Sequence, residues 1–208
     1  MHPIVALVSS YLLGSIPAAW IAGRAAGVDL RTRGSGNLGA TNVFRVLGWK
    51  VGLAVFLFDA AKGAVPVRFF PALTGERDPQ RLLLLGMACG LAAIAGHVRP
   101  VFLGFGKGGK GVATSAGVFF ALAPVAMAVT LAVFAAVVLV SGYVSLGSLT
   151  ASVVLVGVLA ALEGLRSPLF ILALALGGFV FWTHRANIGR LRRGEEHRFG
   201  RKAGKVAR

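Results

Sequence analysis

Four polar segments interrupt an otherwise apolar chain, and their residue types suit the handling of phosphate. The first is Gly34-Ser35-Gly36-Asn37-Leu38-Gly39-Ala40-Thr41-Asn42-Val43-Phe44-Arg45. Glycines let backbone amides approach an anion closely, and successive amides can form an anion-binding nest. Ser35, Asn37, Thr41 and Asn42 add short polar groups, and Arg45 offers a guanidinium fork matched to phosphate oxygens. A flexible loop with an ordinary arginine has the same composition, so this segment alone leaves both readings open. The second runs from Gly96-His97-Val98-Arg99-Pro100 into Gly104-Phe105-Gly106-Lys107-Gly108-Gly109-Lys110-Gly111-Val112-Ala113-Thr114. Gly104 and Gly109 have Walker spacing, but Gly111 follows Lys110 where that loop needs Ser or Thr, and the flanks are apolar runs. Nucleotide hydrolysis is rejected on that ground. Two lysines in a glycine-rich turn before a helix N-terminus still point to phosphate, with anchoring to anionic lipid as the alternative.

The third segment is Ser141-Gly142-Tyr143-Val144-Ser145-Leu146-Gly147-Ser148. Ser145 and Ser148 share a helix face, although hydroxyls in membrane helices usually bond back to their own backbone. The fourth is His184-Arg185-Ala186-Asn187-Ile188 with Gly194-Glu195-Glu196. His184 and Asn187 face one way if the last apolar helix continues through them. A lone histidine at a helix end is more often an interfacial or capping residue, and salt bridging to the surrounding arginines accounts for Glu195 and Glu196. Asp59 and Lys62, three apart inside an apolar run, are expected to neutralise each other as a structural pair, with lining a cavity as the weaker option. The four histidines and the single Cys89 lack ligand spacing, so no metal centre and no cofactor are expected. Cys89, inside an apolar run, reads as a buried, inert thiol.

The elements that must position these segments are membrane helices. The 208 residues are 56% apolar and only 14% charged, whereas a soluble domain carries roughly a quarter charged residues. Apolar runs recur along the whole length, so residues 1–208 are expected to form a single membrane domain. The first run lacks a basic leader and continues straight through Gly14-Ser15-Ile16-Pro17, unlike a cleavable signal. The net charge of +15 sits in the loops and tail, where it orients a membrane protein rather than recruiting nucleic acid.

Candidate spans are 3–23, 51–73, 82–98, 145–162 and 167–183, close to the ~20 residues a crossing requires. As one helix, 112–141 would run about 45 Å through a core of about 30 Å, and Pro124 interrupts it. Splitting it at Pro124 yields seven spans. Seventeen basic residues in the 24–50 loop, the 99–110 loop and the tail then share one side, against Arg77, Arg81 and Arg166 opposite. The positive-inside rule therefore predicts an all-α integral membrane protein with seven transmembrane helices, N-terminus outside and C-terminus cytoplasmic. The segments 34–45, 97–115, 141–148 and 184–196 would all emerge on the cytoplasmic face.

Together these segments resemble the bacterial glycerol-3-phosphate acyltransferases that use acyl phosphate, the PlsY-type family. The likeness covers nearly the whole chain: Gly14 to Pro17, Ser35-Gly36-Asn37 through Arg45, Asp59 with Lys62-Gly63, Gly96-His97 through Thr114, Tyr143 to Ser148, and His184 with Asn187 and Gly194-Glu195-Glu196. Leu38 stands where the family usually has Pro, and the 103–111 segment is one residue longer than usual. The resemblance implies transfer of a fatty acyl group from acyl phosphate to the 1-hydroxyl of glycerol 3-phosphate. The products are 1-acylglycerol 3-phosphate (lysophosphatidic acid) and phosphate, the first acylation step of bacterial phospholipid synthesis. It implies catalytic roles for Ser35, Arg45, His184 and Asn187. It places substrate phosphate at Gly39, Lys107, Gly108, Gly109, Lys110, Gly111 and Ser145, with either lysine as the phosphate contact. Asp59, Lys62 and Glu195 would give structural support. Its partners would be the two substrates and membrane lipids, in the bacterial inner membrane; a monomer is compatible with it, and the oligomeric state is left open. A phosphate or organic-anion transporter is the main alternative, but no internal repeat is visible. A polyprenyl-phosphate transferase would need acidic metal ligands, and the two glycine-rich loops with their flanks hold one acid, Asp29.

Overall fold

The computed structural model describes residues 1–199; Arg201, Lys202, Lys205 and Arg208, part of the basic tail used to orient the chain, lie outside the described residues. Among the described residues there are ten α-helices, two 3-10 turns and no strands. The chain forms two compact units, Met1–Met127 and Ala128–Arg208.

The first unit contains α1 (Pro3–Ser15), α2 (Ala18–Ala25), α3 (Ala40–Leu47), α4 (Trp49–Phe69), α5 (Pro79–Val98) and α6 (Val112–Leu122). Prolines mark the starts: Pro3 and Pro79 occupy the first turns of α1 and α5, where a missing N–H is harmless. Asp78 caps α5 by accepting from the Arg81 N–H at 2.8 Å. Pro17 divides the first apolar run into α1 and α2. Trp20 carries the Arg24 guanidinium 5.3 Å over its ring, an arrangement suited to a membrane–water boundary.

Two seams of small residues hold this unit. In the α1–α5 seam a Cβ on Gly14 would strike the Ala93 backbone, and one on Gly96 would strike the Tyr11 carbonyl. In the α4–α6 seam Gly63 meets the Thr114 carbonyl and Gly117 meets the Ala60 carbonyl. Lipid tails are as apolar as leucine, so close backbone approach and dispersion must supply what exclusion from water supplies in soluble cores. Gly117→Val is therefore expected to destabilise the unit by about 3 kcal/mol through overpacking, read as a lowered melting temperature in detergent.

The expected break near Pro124 is present: α6 ends at Leu122 and α7 (Pro124–Ser141) begins at the proline. The unit boundary falls within α7. The second unit then holds α8 (Val144–Glu163), α9 (Pro168–Thr183) and α10 (Arg185–Arg192). Ser167 caps α9 by accepting from the Phe170 N–H at 3.1 Å, and α8 packs along α9. The helix expected to continue through His184 and Asn187 instead bends by 59° between α9 and α10. His184 sits at the bend: its N–H keeps the regular helical bond to the Val180 carbonyl at 3.0 Å, and its ring Nδ1 meets the same carbonyl at 2.8 Å.

Among the described residues, four helical stretches are long and apolar enough to cross a bilayer, or five when α9 and α10 count as one bent span. The 21-residue α4 falls outside that group because it carries Lys50, Asp59, Lys62 and Arg68.

Candidate active site

The loop before α3 is built around one buried amide. Asn42 donates from Nδ2 to the Leu30 carbonyl and the Arg33 carbonyl, both at 3.1 Å, and its Oδ1 accepts the Ser35 N–H at 2.8 Å. Gly34 has φ +59° beneath that amide, and a Cβ there would collide with Asn42 Oδ1; both facts call for glycine. Leu30 and Leu38 anchor the loop by packing with Ala19, Val43 and Val55 in the core. The Ser35 side chain is thereby exposed on a fixed backbone, and Gly39 leads into α3 without a side-chain cap. Arg45 follows on α3, half-buried and engaged in contacts. Asp29 braces the loop entrance: hydrogen bonds from the Arg31 guanidinium and N–H hold its carboxyl at about 2.

The glycine-rich segment folds back onto the end of α5. After the 3-10 turn Val101–Leu103, Gly104 and Phe105 both adopt left-handed backbone, at φ +61° and +58°. Gly108 then donates its N–H to the Val98 carbonyl at 3.0 Å, and Gly109 to the His97 carbonyl at 3.3 Å. Gly111, at φ +83°, leads into α6 with no side-chain cap, leaving a helix N-terminus of the kind that attracts anions. Thr114 in the first turn is buried with its hydroxyl unpartnered among the described residues. Lys107 is exposed, and Lys110 is half-buried and engaged in contacts.

A small cleft lies beside this segment. Leu38, Gly108 and Gly109 line it together with Asp59, Lys62 and His97. Asp59 and Lys62 are 2% and 3% exposed, and their expected pairing is present, with Nζ 2.7 Å from Asp59 Oδ1. They do more than neutralise each other. Lys62 also donates to the Ile16 carbonyl at 2.9 Å, in the gap between α1 and α2, and His97 Nδ1 lies 3.5 Å from Asp59 Oδ1. Lys107, Lys110 and Gly111 lie outside the lining of this cleft.

In the second unit, Glu196 is the hub. Its Oε1 accepts from Ser145 Oγ at 3.0 Å and from Asn187 Nδ2 at 2.7 Å, and its Oε2 accepts from Arg190 Nε at 2.7 Å. Burial pushes the Glu196 carboxyl up, but the bonds from Asn187, Arg190 and Ser145 outweigh it and hold it below the ordinary glutamate range. Ser148 bonds back to the Val144 carbonyl at 2.9 Å, so the two serines that share a face play different parts. The supporting role expected of Glu195 falls to its neighbour: Glu195 is exposed in a surface pair with Arg193, and Glu196 takes the buried polar position. At the bend, the His184 ring must donate from Nδ1 to the Val180 carbonyl, which makes Nε2 the basic nitrogen of the neutral ring.

Ser35, Gly39 and Arg45 thus share one loop and helix, Gly108 and Gly109 meet Asp59 and Lys62 at the cleft, and Ser145 and Asn187 meet on Glu196. Asn42 and His97 organise their segments although the sequence motifs gave them no distinct roles, whereas Glu196 makes the expected salt bridge, to Arg190, and adds the unexpected bonds to Ser145 and Asn187. Only the motif positions themselves signalled Asn42 and His97.

The comparisons agree with this arrangement. Residues 4–194 match the family described as glycerol-3-phosphate acyltransferase. Proteins named glycerol-3-phosphate acyltransferase from Geobacter sulfurreducens and Geobacter metallireducens are 45% and 52% identical, covering 96% and 94% of this chain and 98% and 97% of theirs. A crystal structure of PlsY, an integral membrane glycerol 3-phosphate acyltransferase, in its glycerol 3-phosphate form superposes with a TM-score of 0.85 at 40% identity, covering 95% of this chain and 96% of that one. The lysophosphatidic acid form of that protein gives 0.82 at 39%, over 95% of each chain. With its motifs, its helical fold and its full-length relatives in agreement, the chain belongs to the glycerol-3-phosphate acyltransferase family.

Proposed function

We propose that this protein transfers a fatty acyl group from acyl phosphate to the 1-hydroxyl of glycerol 3-phosphate at the cytoplasmic face of a bacterial inner membrane. The observation that carries this reading is its full-length likeness to a protein crystallised with glycerol 3-phosphate and with lysophosphatidic acid, which are the acceptor and the product of that reaction. The seven-span topology, N-terminus outside, and the single membrane domain belong to the same proposal, with α4 and the short α6 completing the crossings.

The chemistry suits the residues present. An acyl phosphate is a mixed anhydride with a good leaving group, so direct attack needs no covalent intermediate, and the only thiol, Cys89, is buried. The 1-hydroxyl oxygen attacks the acyl carbonyl carbon, the bond from that carbon to the phosphate oxygen breaks, and phosphate leaves with the electron pair. Arg45, the loop lysines and backbone amides stabilise phosphate and the developing oxyanion. The hydroxyl proton passes to the leaving phosphate or to His184 Nε2, the nitrogen that the Val180 contact leaves basic. Ser35 and Asn187 orient the substrates. The absence of a histidine followed five residues later by aspartate argues against acyl-CoA as donor.

Purified protein in lipid or detergent tests this with glycerol 3-phosphate plus palmitoyl phosphate, or separately palmitoyl-CoA. Equimolar phosphate and lysophosphatidic acid from the acyl phosphate alone is the expected result. Product from palmitoyl-CoA alone would overturn the donor assignment, and no product from either would overturn the reaction.

A further inference from the structure

His97 ends α5 with its ring between two elements that are distant in sequence. On one side Nδ1 faces Asp59 Oδ1 on α4, at 3.5 Å. On the other side the ring lies directly against Gly109: a Cβ built there would overlap His97 Nε2 and Cε1. Asp59 is itself held by Lys62, which reaches the Ile16 carbonyl in the gap between α1 and α2. All three side chains are more than nine-tenths buried. A continuous line of contacts therefore runs from the α1–α2 break through Lys62, Asp59 and the His97 ring to the glycine-rich segment. The His97 carbonyl accepts the Gly109 N–H on the same segment.

We infer that the His97 ring, braced by Asp59, is a positioning residue that sets where Gly108 and Gly109 present their backbone to the phosphate of glycerol 3-phosphate. The inference rests on the proposed reaction and adds a determinant of acceptor affinity outside the glycine-rich segment. Its physical basis is size. Neither Gly108 nor Gly109 has positive φ, so the backbone at 109 accepts an L-residue, and the nearest obstacles to a side chain there are atoms of the His97 ring. A misplacement of about 1 Å in a substrate-positioning element can lower rate by about 100-fold.

A size-swap cycle tests this. Gly109→Ala is expected to lower kcat/KM for glycerol 3-phosphate by about 100-fold, because the new methyl displaces the segment from the ring. His97→Ala is expected to raise KM for glycerol 3-phosphate about 10-fold with little change in kcat, because the segment loses its stop but not its chemistry. The double variant His97→Ala/Gly109→Ala puts the methyl where the ring was, and is expected to recover to within about 10-fold of wild type. KM for palmitoyl phosphate should change less than KM for the acceptor throughout. Strictly additive losses in the double variant, or equal changes in both KM values, would overturn the inference. His97→Asn, which keeps a donor toward Asp59 in a smaller side chain, should fall between wild type and His97→Ala. If Gly109→Ala does not fold, that graded series in KM decides the question alone, and a flat series overturns it. Wild-type turnover is measured first. Its absence would count against the reaction itself, whereas normal wild-type turnover with no rescue counts only against His97.

Discussion

Arg45→Ala is expected to lose about 1000-fold in kcat/KM for acyl transfer while the protein stays folded. Arg45 lies on α3, one turn beyond the buried Asn42 that fixes the preceding loop, so its backbone is set by contacts that the substitution leaves intact. What disappears is a planar fork able to hold two oxygens at once, in a reaction whose leaving group and transition state are both anionic. Arg45→Lys restores charge without the fork and should recover only part of the loss. Steady-state assays with palmitoyl phosphate, paired with melting curves in the same detergent, separate the two effects. Near-normal turnover in the alanine variant would remove Arg45 from the mechanism.

Glu196→Ala should destabilise the second unit by about 3 kcal/mol, the lower end for removing one member of a buried charged pair. The lower end applies because the Arg190 side chain is 30% exposed and can return to water, whereas Ser145 and Asn187 are 6% exposed and lose their shared acceptor. Glu196→Gln keeps an oxygen for Ser145 and Asn187 but gives up the charge facing Arg190, so it should lose less. The carboxyl is held below its unfolded value. Its contribution is therefore full above the unfolded pKa, about 4.3, and is lost as pH falls through the lower folded value. Melting temperature measured from pH 7 down to 3 should fall more steeply for wild type than for Glu196→Gln. Parallel curves would mean that Glu196 is not the acid-sensitive group.

The break at Pro124 was legible because proline lacks an N–H, and a single helix over 112–141 would overrun the bilayer core. Helix positions were legible from apolar runs, with ends shifted by a few residues where caps decide: Asp78 starts α5 at Pro79 rather than at 82. Which glutamate turns inward was not legible. Glu195 and Glu196 are adjacent and chemically identical, and only the path of the chain after α10 points one toward Ser145 and leaves the other to Arg193. His97 and Asp59 sit on different helices, so no helical period could join them. The bend at His184 was hidden for a related reason. No glycine or proline marks it, and the ring contact with the Val180 carbonyl found there depends on side-chain conformation.

The pairing of Asp59 with Lys62 on one turn of one helix also bears on how the protein is made. A lone aspartate or lysine at the middle of a nascent apolar helix opposes entry into the bilayer by about 2.5–3.5 kcal/mol. Had the two charges been placed on separate helices, each would meet the translocon bare and wait for the other to arrive. Here the counter-ion travels on the same segment, three residues behind. In the proposed seven-span topology, the interior of α4 can thus enter lipid with its two central charges neutralised before α5 has left the ribosome.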